Sequence, residues 1–78
     1  MIYEKIAGFV AEQFAVDAAT LTRDTEFVSG LGADSLDIVE LTMTIEEEFG
    51  IPEVSEEELS AITTLGDLAD YVERVSAV

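Results

Sequence analysis

The sequence predicts an all-α fold: a four-helix bundle of three longer helices and one short third helix, with a long first loop. Three observations predict it. Apolar residues recur at three- and four-residue steps through most of the chain, no segment sustains a two-residue alternation, and cap or breaker residues bound the periodic segments. A chain of 78 residues accommodates one small domain, 1–78, and no second one.

The elements follow in order. Ile2, Ile6, Phe9, Val10 and Gln13-Phe14 keep helical spacing and set a first amphipathic helix over about 3–14. From Ala15 to Ala33 the period fails, and Asp17, Thr20, Thr22, Asp24, Thr25, Ser29, Gly30 and Gly32 are turn and cap residues. A loop of that length is uncommon in a small domain and is often functional. Leu21, Phe27, Val28 and Leu31 are expected to pin it to the core. Asp34-Ser35 reads as the start of the second helix, with Asp37 and Glu40 in its first turns. It runs to about Phe49, where Gly50 and Pro52 stop it. Ser55-Glu56-Glu57-Glu58 fits a capping box that opens a short helix to about Ala61. Thr64-Leu65-Gly66-Asp67 opens the last helix, with Leu65, Leu68, Ala69, Val72 and Val75 on one face.

Charge is the outlier. Eighteen acids against three bases give −15, a balance that marks a disordered chain when aromatic and β-branched residues are few. Here 49% of the residues are hydrophobic and four are Phe, so the chain reads as a folded acidic domain. Such a charge repels nucleic acid and anionic lipid and attracts proteins with basic patches. No signal peptide is read at Met1-Ile2-Tyr3-Glu4-Lys5 and no stretch is apolar enough to enter a membrane, so a cytoplasmic monomer is expected.

Absent residue types exclude most catalysis. With no His and no Cys, a Ser-His-Asp triad, a Cys-His pair, a disulfide framework and most zinc sites are ruled out. No Gly-rich phosphate loop is present. Paired carboxylates such as Glu47 and Glu48 could do acid–base work, but a run of acids reads first as a solvated face. Clustered carboxylates could also hold a divalent ion loosely, yet no spacing matches an EF-hand, and no metal site is expected.

Ser35 is the notable hydroxyl. At a helix N-terminus after Gly32-Ala33-Asp34 it would stand exposed where free N–H groups and the helix dipole favour a phosphate. No partner base activates it, so an outside enzyme would have to attach anything there. The plainer reading is that Ser35, or Asp34, is only an N-cap.

The helix from Ser35 carries two apolar stripes. Ile38, Leu41, Ile45 and Phe49 make a sufficient core face, and Leu36, Val39 and Met43 make another, flanked by Glu40, Glu46 and Glu47. A second stripe ringed by acids fits a docking surface; the alternative is that the loop or short helix covers it. Between Asp34 and Glu58 lie ten acids and no base, while Lys5, Arg23 and Arg74 lie outside. Glu46, Glu47 and Glu48 repel one another and oppose the dipole at the helix C-terminus. That cost points to recognition by electrostatic steering rather than to stability.

Leu31-Gly32-Ala33-Asp34-Ser35-Leu36-Asp37 followed by Val39-Glu40-Leu41 resembles the phosphopantetheine attachment motif of acyl carrier proteins. The resemblance continues through Met43, Glu46-Glu47-Glu48-Phe49 and Ile62-Thr63-Thr64-Leu65-Gly66-Asp67, with Phe27-Val28 upstream and Tyr71-Val72 downstream, so it covers nearly the whole chain. It implies a non-catalytic carrier. A phosphopantetheinyl transferase would move 4'-phosphopantetheine from coenzyme A onto Ser35, and the arm's thiol would carry an acyl chain as a thioester. It further implies that Asp34, Leu36, Asp37, Val39, Glu40, Met43, Glu46 and Glu47 meet basic docking patches of fatty acid synthase enzymes. Phe27, Leu41, Ile45 and Ile62 would line a slot for the acyl chain.

Two features depart from the common fatty-acid form. Gly50-Ile51-Pro52-Glu53-Val54 is about one residue longer, and Asp17 to Leu21 lacks the lysines often found there. The leading reading is a free-standing carrier for type II fatty acid synthesis. Beside it stand a carrier dedicated to a polyketide or other pathway, an acidic helical adaptor without cofactor, and a carboxylate-only enzyme. Peptidyl carriers, which usually have a different residue before the serine, rank lower.

Overall fold

The computed structural model describes residues 2–76; Met1, Ala77 and Val78, which the expected 1–78 domain includes, lie outside the described residues. Five α-helices follow in order: α1 (Ile2–Phe14), α2 (Phe27–Leu31), α3 (Ser35–Phe49), α4 (Glu56–Ala61) and α5 (Leu65–Ser76). Among the described residues there is no β-strand, only an isolated antiparallel bridge between Glu26 and Thr64. The bundle is all-α, as its periodicity predicts.

Helix α1 packs against α5 and α3. Its Ile6 and Val10 meet the core formed by Leu41 and Ile45 of α3 and by Leu65, Leu68 and Val72 of α5, all essentially inaccessible to water. Phe9 and Phe49 stand edge to face with centroids 6.4 Å apart, tying α1 to the end of α3. Helix α1 ends in a left-handed Ala15 (φ 55), and the Val16 N–H turns back to the Ala11 carbonyl.

The first loop differs from the expectation of a stretch without structure. It holds a 3-10 turn at Ala18–Thr20, capped by Asp17, and the five-residue α2. Five residues cannot display a helical period, and a helix this short is held by tertiary contacts rather than propensity. Phe27 is buried and its N–H donates to the Thr63 carbonyl, while Gly32, at φ 68, ends α2 in the left-handed conformation. Leu21 is buried and Leu31 half-buried, as expected of residues that pin the loop. Val28 corrects the reading: it is 66% exposed, because the one buried face of α2 is taken by Phe27.

The short helix differs in a smaller way. Ser55 Oγ accepts the Glu58 N–H at 3.2 Å, but the Glu58 carboxylate does not return the bond. It pairs instead with the Arg74 guanidinium of α5 at 3.2 Å. Helix α4 contributes no buried residue and lies on the bundle's surface.

The loop is stitched to the start of α5. The Leu65 and Gly66 N–H groups donate to the Thr25 and Arg23 carbonyls, each at 2.9 Å. Asp67 Oδ2 accepts the Thr63 and Thr64 N–H groups and the Thr63 hydroxyl, and the Asp67 N–H returns a bond to Thr64 Oγ1. The Thr63 backbone bond, followed by its hydroxyl, holds the Asp67 carboxyl below its ordinary 3.8. A folded pKa below the unfolded one means that the unfolded chain binds more protons in that window. The contribution is therefore complete above the ordinary value and is lost as pH falls through the depressed one. We expect Asp67→Asn to be less stable at neutral pH by a modest margin, since the carboxyl is exposed. That gap should close as pH falls from about 5 to about 2. Paired thermal melts across this range check it, and a gap indifferent to pH would contradict the assignment.

Candidate functional site

Helix α3 begins with a full capping box. Asp34 Oδ1 accepts the Asp37 N–H at 2.9 Å, and Asp37 Oδ2 accepts the Asp34 N–H at 3.2 Å. The N-cap is therefore Asp34, and Ser35 is the first helical residue. This resolves the two plain readings of the serine: capping is done by its neighbour. The Ser35 side chain is exposed and, among the described residues, makes no hydrogen bond.

Gln13 fixes the same turn from α1, its Nε2 donating to the Asp37 carbonyl at 2.8 Å across 24 residues of chain. Periodicity put Gln13 on the first helix; no sequence signal joins it to Asp37. Ser35 is thus presented by a turn that is braced on both sides while its own hydroxyl stays free.

A groove of about 430 Å³ opens beside it, lined by Ser35, Ile38 and Val39 of α3 and Glu56, Leu59 and Ser60 of α4. A second hollow of about 390 Å³ shares Val39, Glu56 and Leu59 and runs on to Thr42, Met43 and Val54. Leu59, Ile38 and Val54 were not among the expected site residues. Leu59 is the one large apolar residue of α4, which is the only mark the sequence gives it.

The expected docking residues divide. Asp34, Leu36, Val39, Glu40, Met43 and Glu47 are exposed, with Leu36 at 65% and Met43 at 57%. Asp37 and Glu46 are half-buried and already bonded, Asp37 to the Asp34 N–H and Glu46 through Oε2 to the Val54 N–H at 2.9 Å. The expected slot residues Phe27, Leu41, Ile45 and Ile62 are all buried in the core. None of them lines the two hollows beside Ser35; Ile62 borders a separate, polar hollow with Asp70, Tyr71 and Arg74.

Two ion pairs occur among the described residues, Arg23 with Asp70 and Arg74 with Glu58, and neither involves α3. No acid of α3 is paired with a base among the described residues. No group of three or more potential ligands is arranged to hold a metal among the described residues. Among the described residues, no helix is long and apolar enough to cross a membrane.

The residues at Ser35 fit a covalently held phosphodiester. The hydroxyl is free, and the first-turn N–H groups and dipole favour an anion there. No cation stands on α3 to clamp a phosphate without a bond.

A family model described as a phosphopantetheine attachment site matches residues 4–72. An acyl carrier protein of Helicobacter pylori (strain G27) is 49% identical over 72 residues, covering 92% of this chain and 91% of its own. One from Clostridium acetobutylicum is 43% identical over 72 residues, covering 92% of each. The solved structure of an acyl carrier protein from Enterococcus faecalis superposes with a TM-score of 0.81 at 30% identity, covering 95% of this chain and 92% of that one. The helical fold, the matched attachment model and these relatives agree, and the chain belongs to the acyl carrier proteins, non-catalytic carriers built on a phosphopantetheine attachment site.

Proposed function

We propose that the protein carries growing acyl chains as thioesters on a 4'-phosphopantetheine arm at Ser35 and presents them to the cytoplasmic enzymes of type II fatty acid biosynthesis. The observation that carries this reading is the exposed Ser35 hydroxyl, freed by the Asp34–Asp37 capping box at the start of α3. In the attachment step Ser35 Oγ would gain a bond to the phosphorus that bears the pantetheine, that phosphorus would lose its bond to the bridging pyrophosphate oxygen, adenosine 3',5'-bisphosphate would leave, and the serine proton would pass to a base of the transferase. The arm, when bound, supplies the thiol that holds the acyl group. The chain itself positions that ester on a braced turn, offers the groove of Ile38, Val39 and Leu59 to an apolar cargo, and steers partners with its acids. Phe27, Leu41, Ile45 and Ile62 would be reached by the cargo only if the core opens.

Asp34, Leu36, Asp37, Val39, Glu40, Met43, Glu46 and Glu47 form the docking face in this reading, an apolar stripe rimmed by acids. Charge reversal at an exposed rim changes association and its salt dependence more than the fold. The holo protein should therefore be loaded with a malonyl group and elongated by enzymes of a bacterial fatty acid synthase. Glu40→Lys or Glu47→Lys should raise KM about tenfold, the loss shrinking at high salt, with the melting temperature little changed. Elongation followed by mass spectrometry tests both. A holo protein that is never elongated would remove the pathway, and unchanged KM in both variants would remove the docking face.

A further inference from the structure

Glu46 does something that its place in a run of acids does not suggest. Its backbone carbonyl accepts the N–H groups of Gly50 and Ile51, and its carboxylate reaches forward eight residues to the Val54 N–H at 2.9 Å. One residue thus fastens both ends of the turn between α3 and α4. That turn has little else to hold it: Ile51 is buried and Val54 half-buried, but Pro52 and Glu53 are exposed and α4 beyond buries nothing.

Glu46 and Val54 also line the second hollow, Glu46 being its lining residue of α3 farthest along the helix from Ser35. The first part, by Ser35, Ile38 and Leu59, continues through the shared Val39 and Leu59 into the part lined by Thr42, Met43, Glu46 and Val54. An apolar chain entering beside Ser35 and running along α3 therefore reaches Glu46 and Val54 last of the lining residues.

We propose that Glu46 is a specificity-determining residue: by pinning Val54 it fixes how long an acyl chain the groove shelters. This rests on the reading of the protein as a fatty acyl carrier and deepens it. Glu46→Gln keeps an acceptor for the Val54 N–H, whereas Glu46→Ala removes the acceptor and the wall together. Only the second should lengthen the groove.

The test uses the wild-type holo protein and both variants, each loaded with a saturated acyl series from short to long chains. Thermal melts give the rise in melting temperature over the unloaded holo form at each length. Wild type should gain with length until a plateau. Glu46→Gln should keep that plateau, and Glu46→Ala should move it to longer chains by at least one elongation step. Amide exchange at Val54 should be slow in wild type and Glu46→Gln and fast in Glu46→Ala. A wild-type plateau left in place by Glu46→Ala would overturn the Glu46 assignment alone. So would fast Val54 exchange in wild type, a result that needs no variant. No gain at any length in wild type would remove the groove as an acyl site, and the Glu46 role with it.

Discussion

Phe27→Ala should destabilise the protein by about 3–5 kcal/mol, the usual cost of emptying a buried aromatic site. Phe27 is 2% exposed and lies at the start of a five-residue helix that has no other buried residue. Its removal takes away the one fully buried side chain of the segment from Arg23 to Leu31, leaving half-buried Leu31, the Arg23–Asp70 pair and the backbone bonds to Thr63, Leu65 and Gly66 to hold it. A chain of 78 residues has roughly 4–12 kcal/mol in total, so the variant stands near the limit of folding. Its neighbour is the internal control. Val28→Ala, at a side chain 66% exposed, should change stability by less than about 0.5 kcal/mol. Urea unfolding of the two variants beside wild type checks the pair. Equal effects would contradict the placement of α2.

These neighbours also mark where the sequence was legible and where it was not. The long amphipathic helices carry enough turns for a 3.6-residue period to stand out, and Leu41, Ile45, Leu68 and Val72 point inward where the period places them. The exposed stripe of Leu36, Val39 and Met43 was legible for the same reason, as one apolar face more than α3 needs. Helix α2 is too short to show a period. Which of Phe27 and Val28 goes inward is decided by the start of α5, nearly forty residues away in the chain.

At the candidate site, the helix start at Asp34-Ser35 was legible from cap chemistry, but the division of labour between the two was not. It depends on Asp37 returning the bond to the Asp34 N–H. The groove was less legible still. Its walls come from α3 and α4, and no local pattern sets Leu59 against Ile38. The reading that put Phe27, Leu41, Ile45 and Ile62 around the acyl chain followed the resemblance, while the hollows beside Ser35 are lined by other residues. Glu46 and Glu58 look like members of one acidic surface. Their side chains instead hold the entry to α4, Glu46 through the turn before it and Glu58, in its first turn, through Arg74 of α5.

The central claim is that Ser35 Oγ is the attachment point, and its loss has the largest functional effect expected of any substitution here. Ser35→Ala removes the oxygen proposed to form the ester. It leaves the cap untouched, because Asp34 and Asp37 make those bonds and alanine is a good first-turn residue. Fold and melting temperature should stay close to wild type, which separates loss of the site from loss of the protein. The direct measurement is intact mass after incubation with coenzyme A and a phosphopantetheinyl transferase of broad specificity. Wild type should gain the mass of one phosphopantetheine, and folded Ser35→Ala should gain none. A folded wild type that gains nothing from a transferase active on a control carrier, or a Ser35→Ala variant that gains the same mass, would contradict the account.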